Sequence, residues 1–140
     1  MYVNKKSCIN AILIIQAKRK YSGGLIFMGC IFCEIIEKKI PAKIIYEDER
    51  ALAFEDINPQ SPVHALVIPK KHISTNLGIK EEDNALIGHL FQIANRIAKD
   101  RGIAERGFRL VMNCNPESGQ TVFHIHLHIL GGRLMHWPPG

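Results

Sequence analysis

One stretch of this 140-residue sequence decides the fold: it runs Val122-Phe123-His124-Ile125-His126-Leu127-His128-Ile129. From Phe123 onward, apolar residues and histidines alternate without a break. Successive side chains of a β-strand point to opposite faces of the sheet, so a strand sorts these residues into one apolar face and one row of imidazoles. A helix would scatter the histidines around its circumference. The stretch therefore predicts a strand over residues 121–130, with the apolar face in the core and the histidines on the exposed side.

Three explanations compete for a row of three histidines. A core or surface histidine is the default for a single residue, but three at a period of two make coincidence a minor option. One metal ion is the second explanation; His124 and His128 have Cα atoms about 13 Å apart at roughly 3.3 Å per residue, so adjacent pairs suit one ion better than all three do. Nucleophilic or acid–base chemistry is the third, because a neutral imidazole attacks through one nitrogen while the other donates a hydrogen bond that fixes the tautomer.

Outward from this stretch, the pattern alternates between strands and helices. A helix of period three to four is predicted over Glu81–Arg101, with Gly102 as its C-terminal stop. The other predicted elements are the short helix Phe32–Lys39 and the strands Lys43–Glu47, Ala51–Asp56, His64–Ile68 and Phe108–Asn113. Strands on both sides of one long helix, joined by short polar turns, indicate an α+β domain with a largely antiparallel five-stranded sheet.

The net charge of +5 arises in the first part of the chain. Residues 1–33 hold five lysines and arginines and no acid, whereas basic and acidic residues balance over residues 34–140. A basic surface for nucleic acid is therefore excluded as the main function. The four cysteines do not form the framework of a small secreted protein, which favours a reducing, cytoplasmic compartment.

Residues 1–27 stand apart from the rest. Their apolar run, residues 9–17, is shorter than the roughly 20 residues that span a bilayer, so no membrane anchor is expected. A signal or transit peptide is an alternative, but the run has no clear cleavage site and is poor in arginine and serine. The preferred interpretation is an N-terminal extension over 1–27, dispensable or a mis-assigned start, followed by one domain over 28–140 that begins at Met28.

Residues around the histidine stretch also resemble the signature of a known protein family. The stretch Gln120-Thr121-Val122-Phe123-His124-Ile125-His126-Leu127-His128-Ile129-Leu130-Gly131-Gly132-Arg133 resembles the signature of the histidine triad (HIT) superfamily, in which three histidines alternate with apolar residues. The C-terminal residues 131–140 resemble the tail of its Hint branch, the purine nucleoside phosphoramidases, and residues 40–48 and 67–74 resemble the same branch. The resemblance covers about residues 29–140. It implies the HIT-like fold and a homodimer whose sheet continues across the two-fold axis.

The resemblance also implies a reaction. It is hydrolysis of the P–N bond of purine nucleoside 5′-phosphoramidates through a covalent nucleotidyl-histidine, releasing AMP or GMP and an amine. The alternatives are hydrolysis of dinucleoside polyphosphates, a nucleotide-binding regulatory or scaffold protein with little turnover, and a zinc-dependent hydrolase that uses the triad as ligands. The implied catalytic residues are His126 as nucleophile, His128, His64 and Thr121. The implied substrate-binding residues are Phe32, Ile35, Phe54, Asp56, Ile57, Asn113, Gln120 and Trp137.

Cys30 and Cys33 have the two-residue spacing that lets two thiolates bind one tetrahedral ion, although two small buried apolar residues would have the same spacing. The resemblance implies that His72 and His124 complete a structural zinc site. That closed site would leave His126 free of metal. Neither an organic cofactor nor a catalytic metal is expected.

Overall fold

The computed structural model describes residues 29–140, so the proposed extension 1–27 and the proposed start at Met28 lie outside the described residues. Two helices and five strands form this part of the chain. In chain order they are α1 (Ile31–Ile36), β1 (Ile44–Glu47), β2 (Ala51–Glu55), β3 (Val63–Pro69), α2 (Asn84–Asp100), β4 (Phe108–Val111) and β5 (Leu127–Gly131). No helix over residues 29–140 has the length and apolar character needed to cross a bilayer.

The five strands form one antiparallel sheet in the order β1-β2-β3-β5-β4. The predicted fold class is therefore confirmed: an α+β domain with a five-stranded antiparallel sheet, one long helix and one short helix. The β1–β2 hairpin closes at Asp48, whose Oδ1 accepts the backbone N–H groups of Arg50 and Ala51, both at 2.8 Å. An aspartate that binds backbone N–H groups two and three residues ahead stabilises a tight turn.

Each face of the sheet is covered by one helix. The apolar stripe of α2 packs on one face, where small residues of β2 and β3 (Ala51, Ala53 and Ala65) let the helix approach closely. On the opposite face, Phe32 and Ile35 of α1 pack with alternate residues of the same strands: Leu52, Phe54, Leu66 and Ile68. The two-residue period of the strands thus creates two separate cores.

The long helix begins later than its periodicity suggested. Glu81–Asp83 form a 3-10 turn, and the α-helix runs Asn84–Asp100. Asp83 is buried and accepts hydrogen bonds from Nζ of Lys71 at 2.7 Å and from the backbone N–H of Lys80 at 3.1 Å. Gly102 ends the helix as predicted, at φ +67°.

The fifth strand is shorter than predicted. It starts at Leu127, so His124 and His126 precede the strand. Continuing the β3–β5 register would place Pro69 opposite Ile125, and proline has no N–H for the ladder. The backbone N–H of Ile125 instead donates to the carbonyl of Ile73 at 2.7 Å, and Phe123, expected in the core, is 46% exposed.

Candidate active site

The three histidines share one side of the chain, as their alternation predicted. That side faces α1, and the row is covered rather than exposed. His124 is 0% exposed, His126 is 6% exposed and His128 is half-buried. The ring of Phe32 meets the His126 ring edge-on with centroids 5.2 Å apart, and His126 meets His128 at 4.9 Å. Phe32 is therefore what covers the middle of the row.

One hydrogen bond sets the tautomer of His126. Its Nδ1 lies 2.7 Å from the carbonyl oxygen of His124. A carbonyl only accepts, so Nδ1 carries the proton and Nε2 carries the lone pair. Within residues 29–140 no hydrogen bond to Nε2 of His126 is found, and the residue is 6% exposed. The middle histidine is thus almost fully buried, yet its Nε2 lone pair is not used in a hydrogen bond.

A second chain of hydrogen bonds sets the tautomer of His128. The backbone N–H of Gln60 donates to Nδ1 of His64 at 3.0 Å, so the proton of His64 lies on Nε2. Nε2 of His64 donates to Nδ1 of His128 at 2.9 Å. The proton of His128 therefore lies on Nε2. Beside the lone pair of His126, the protein places an N–H donor.

Burial keeps these rings neutral. It lowers the pKa of His126 below the ordinary 6.5, against the opposing effect of the His124 carbonyl. It lowers the pKa of His128 to about 3, with smaller contributions from His126 and His64. Burial also lowers the pKa of His64, although the carboxylate of Asp56, with Oδ2 3.3 Å from Nε2, opposes it. A neutral imidazole is the nucleophilic form.

The four predicted metal ligands come together beside the triad. Nδ1 of His124 lies 3.5 Å from Sγ of Cys30, 3.6 Å from Sγ of Cys33 and 3.2 Å from Nδ1 of His72. Around a tetrahedral ion with M–N near 2.05 Å and M–S near 2.3 Å, ligand atoms lie ~3.3 Å (N to N) to ~3.6 Å (N to S) apart. The observed distances match the edges of such a tetrahedron, so these four residues could hold a metal ion.

The protonation of His124 fits the same conclusion. Its Nε2 donates to the carbonyl of Pro69 at 2.8 Å, which leaves the Nδ1 lone pair facing the cluster. Burial lowers the pKa of His124 to about 4, so the ring is neutral. Burial raises the pKa of the Cys33 thiol to about 11 in the absence of metal, and Cys30 beside it adds to the rise. A cation in the cluster would reverse that effect, because the thiolate is the ligand.

Asp56, His64 and His128 also bring three ligand atoms within reach of one another, but their protonation does not suit a metal ion. Nδ1 of His64 already accepts the N–H of Gln60. Coordination through Nε2 as well would leave neither nitrogen of His64 with a proton and would make the ring an imidazolate. The metal-ligand explanation of the histidine row therefore fits His124 alone.

The predicted nucleoside-binding residues divide into buried and exposed groups. Phe32, Ile35 and Phe54 are buried, with the rings of Phe32 and Phe54 edge-on at 5.6 Å. Ile57 is 70% exposed. Asp56 is half-buried at the end of β2, and its Oδ1 accepts the backbone N–H of Asn58 at 2.8 Å.

The remaining predicted residues lie in the segment before β5 and in the C-terminal tail. Thr121 is exposed and Asn113 is half-buried just after β4. Gln120 is 3% exposed, with its amide bound to backbone groups. Trp137 is 83% exposed, so this single chain does not bury it against the triad. A cavity of about 380 Å³ near the tail, lined by Arg106, Arg109 and Arg133 among others, contains none of the histidines.

The sequence offered no signal for the backbone groups that orient the imidazoles. They are the carbonyls of Pro69 and His124 and the N–H of Gln60. Ser74, whose Oγ lies 3.3 Å from Nε2 of His72, was also missed. Its position two residues after a candidate ligand was the one available hint.

Comparison with known proteins places this geometry in a family. The HIT domain model matches residues 37–135. An uncharacterised HIT-like protein of Synechocystis is 56% identical over 110 residues, which cover 79% of this chain and 96% of that protein. A HIT family hydrolase from Legionella pneumophila superposes with a TM-score of 0.79 at 49% identity, covering 80% of this chain and 100% of the other. A HIT family hydrolase from Clostridium thermocellum superposes at 0.76 with 48% identity, covering 79% and 96%. The chain belongs to the HIT domain family.

Proposed function

We propose that this protein is a hydrolase of the Hint type, which cleaves the P–N bond of purine nucleoside 5′-phosphoramidates through a nucleotide bound covalently to His126. The observation that carries the proposal is the hydrogen bond from Nδ1 of His126 to the His124 carbonyl at 2.7 Å. It leaves Nε2 with a lone pair, as a nucleophile requires. The hydrolases of Legionella and Clostridium named above support a hydrolytic activity.

The proposed reaction uses the Nε2 lone pair of His126 and the Nε2–H of His128. Nε2 of His126 forms a bond to the α-phosphorus, the P–N bond breaks, and the amine leaves with a proton taken up from solvent. The Nε2–H of His128 donates to a phosphate oxygen and stabilises the charge of the transition state. Water then attacks phosphorus, the bond to Nε2 breaks, a proton returns to solvent, and the nucleoside monophosphate leaves with His126 neutral again.

The nucleoside is proposed to bind between α1 and the end of β2. Phe32, Phe54, Ile35 and Ile57 would form the apolar walls for the base, and Asp56 would accept hydrogen bonds from the ribose hydroxyls. Asn113 and Thr121 would contact the phosphate and the leaving amine. Trp137 would complete the site of a second copy in a homodimer, which explains why it is exposed in one chain.

The four-residue cluster is proposed to bind a structural zinc through Cys30, Cys33, His72 and His124. These four residues would occupy all the positions of a zinc ion, so the ion would cross-link the segments that carry them and would offer no open position for catalysis. No organic cofactor is required for the steps above. A cytoplasmic location is also proposed, because the spacing of the cysteines does not resemble the disulfide framework of a small secreted protein.

Intact mass spectrometry after brief exposure to adenosine 5′-phosphoramidate tests the proposal. The expected result is a mass increase of one adenylyl group in the wild type, no increase in His126→Ala, and release of AMP by the wild type. The polyphosphate-hydrolase alternative predicts faster turnover of diadenosine polyphosphates than of the phosphoramidate. A nucleotide-binding scaffold would bind AMP without forming the adduct. Activity that a chelator abolishes at once would favour the zinc-dependent mechanism.

A further inference from the structure

Gln120 lies two residues before the histidine stretch and is 3% exposed. Its Nε2 donates to the carbonyl of Ser74 at 2.8 Å and to the carbonyl of Val122 at 3.1 Å. Its Oε1 accepts the backbone N–H of Asn115 at 2.7 Å. Carbonyls accept and an N–H donates, so the orientation of the amide is fixed by its partners. Both amide hydrogens are thus committed to backbone, which leaves neither for a substrate.

These three bonds act where the sheet provides no support. Residues 112–126 join β4 to β5 without a strand, and they include His124 and His126. The N–H of Ile125 finds the carbonyl of Ile73, and the Gln120 amide connects the neighbouring Ser74 to Val122. One buried side chain therefore connects the segment that follows His72 to the segment that leads into the triad.

We propose that Gln120 is a positioning residue for the nucleophile His126 rather than a substrate contact. Its amide fixes the backbone at Val122, two residues before His124. The carbonyl of His124 in turn holds Nδ1–H of His126 and sets both the tautomer and the direction of Nε2. Gln120 touches no reacting atom and acts through this backbone path. The inference rests on the function proposed above.

The structure separates placement of the nucleophile from binding of the nucleoside. Phe32 lies on α1, and Phe54 and Asp56 lie on or just after β2, so none belongs to the segment that Gln120 holds. A loss of the Gln120 amide should displace His126 more than the β2 residues Phe54 and Asp56, whereas Phe32 meets the His126 ring edge-on and follows it in part. Because a misplacement of about 1 Å costs roughly 10²-fold in rate, the chemical step is the sensitive readout.

The test compares Gln120→Met with wild type and with His89→Ala. Methionine matches the length of glutamine without its hydrogen bonds. His89 donates to Asp48 at 2.6 Å on the α2 side of the sheet, so His89→Ala removes a hydrogen bond remote from the triad and controls for a general loss of stability. Single-turnover formation of the adenylyl-His126 adduct is measured for all three, together with equilibrium binding of adenosine, which lacks the phosphate proposed to contact Asn113 and Thr121. For Gln120→Met we expect adduct formation at least tenfold slower and adenosine affinity within about threefold of wild type. In ¹⁵N NMR spectra, the fraction of His126 protonated at Nδ1 should also fall.

The proposal is overturned if Gln120→Met forms the adduct as fast as His89→Ala, or if adenosine affinity falls as much as the rate. If Gln120→Met does not fold, Gln120→Asn takes its place with the same criteria, because it keeps the amide but is one methylene too short to reach all three partners. A wild-type protein that forms no adduct contradicts the proposed function. Wild-type adduct formation with an unimpaired Gln120→Met contradicts this inference alone.

Discussion

The backbone carbonyl of His124 accepts a hydrogen bond from Nδ1–H of His126 at 2.7 Å. The ring of His124 meanwhile belongs to the cysteine–histidine cluster. One residue thus contributes its side chain to the candidate metal site and its carbonyl to the orientation of the nucleophile. A change at either site is expected to reach the other.

Replacement of Cys33 tests the candidate metal site. Cys33→Ser removes a thiolate from the cluster, so we expect metal content per chain to fall close to zero and the melting temperature to drop. The free energy at stake is large, since structural zinc contributes ~10–16 kcal/mol of apparent binding energy in zinc-finger peptides. Elemental analysis and thermal unfolding measure the two effects.

The matched control is Cys114→Ser, because Cys114 is also a free, half-buried cysteine but lies outside the cluster. It should keep the metal and the melting temperature of the wild type. Equal metal content in Cys33→Ser and Cys114→Ser would rule out Cys33 as a ligand.

His64 is expected to control the tautomer of His128. His64→Phe keeps an aromatic ring but removes the N–H that is donated to Nδ1 of His128 at 2.9 Å. His128 can then carry its proton on Nδ1, which leaves no donor at Nε2. We expect kcat to fall by roughly 10²-fold, the lower end of what one donor to a transition-state oxygen contributes, with a smaller change in KM. Steady-state kinetics with adenosine 5′-phosphoramidate provide the measurement, and an unchanged kcat would contradict the assigned tautomer.

The carboxylate of Asp48 is expected to make the free energy of unfolding depend on pH in the acidic range. Burial by itself raises its pKa, but hydrogen bonds from Tyr46, His89 and the backbone of Arg50 and Ala51 outweigh burial and hold that pKa below 3.8. A folded-state pKa below the unfolded one adds stability that is fully present above the unfolded value and is lost as the pH falls through the folded value. We therefore expect Asp48→Ala to cost about 1–3 kcal/mol near pH 7.

The gap in unfolding free energy between wild type and Asp48→Ala should narrow only below about pH 4, the unfolded pKa of an aspartate. Urea unfolding of both proteins between pH 3 and pH 7 follows it. A gap that narrows already between pH 7 and pH 5 would mean that another group is responsible.

A side chain at Gly131 is expected to destabilise the protein, because Ile103 would have to shift to accommodate it. A Cβ there would lie 2.5 Å from Cδ1 of Ile103, in the core where β5 ends. Gly131→Ala should cost about 1–3 kcal/mol, as overpacking of a filled core does. Gly88 lies in α2 with nothing within 4 Å of a Cβ, so Gly88→Ala should be neutral or stabilise by about 0.5–1 kcal/mol. Denaturant unfolding of both variants checks the contrast, and equal effects would contradict the packing described.

The alternation in the histidine stretch was sufficient to predict that His124, His126 and His128 share a side of the chain, since that property is local. The predicted strand was too long, because its end depends on Pro69, a residue of another strand that cannot donate to the ladder. The helix that begins at Asn84 was likewise predicted too early, because the buried Asp83 binds Lys71 from a distant loop.

The sequence by itself determined the type of fold, which histidines form the row and which two cysteines can share an ion. These properties depend on periodicity and spacing, which are local to neighbouring residues. Only the tertiary structure decided which nitrogen of each imidazole carries a proton. Those protons are placed by the carbonyls of Pro69 and His124 and by the N–H of Gln60. Backbone groups are the same in every residue, so no pattern of side chains announces which of them will face a ring until the chain has folded.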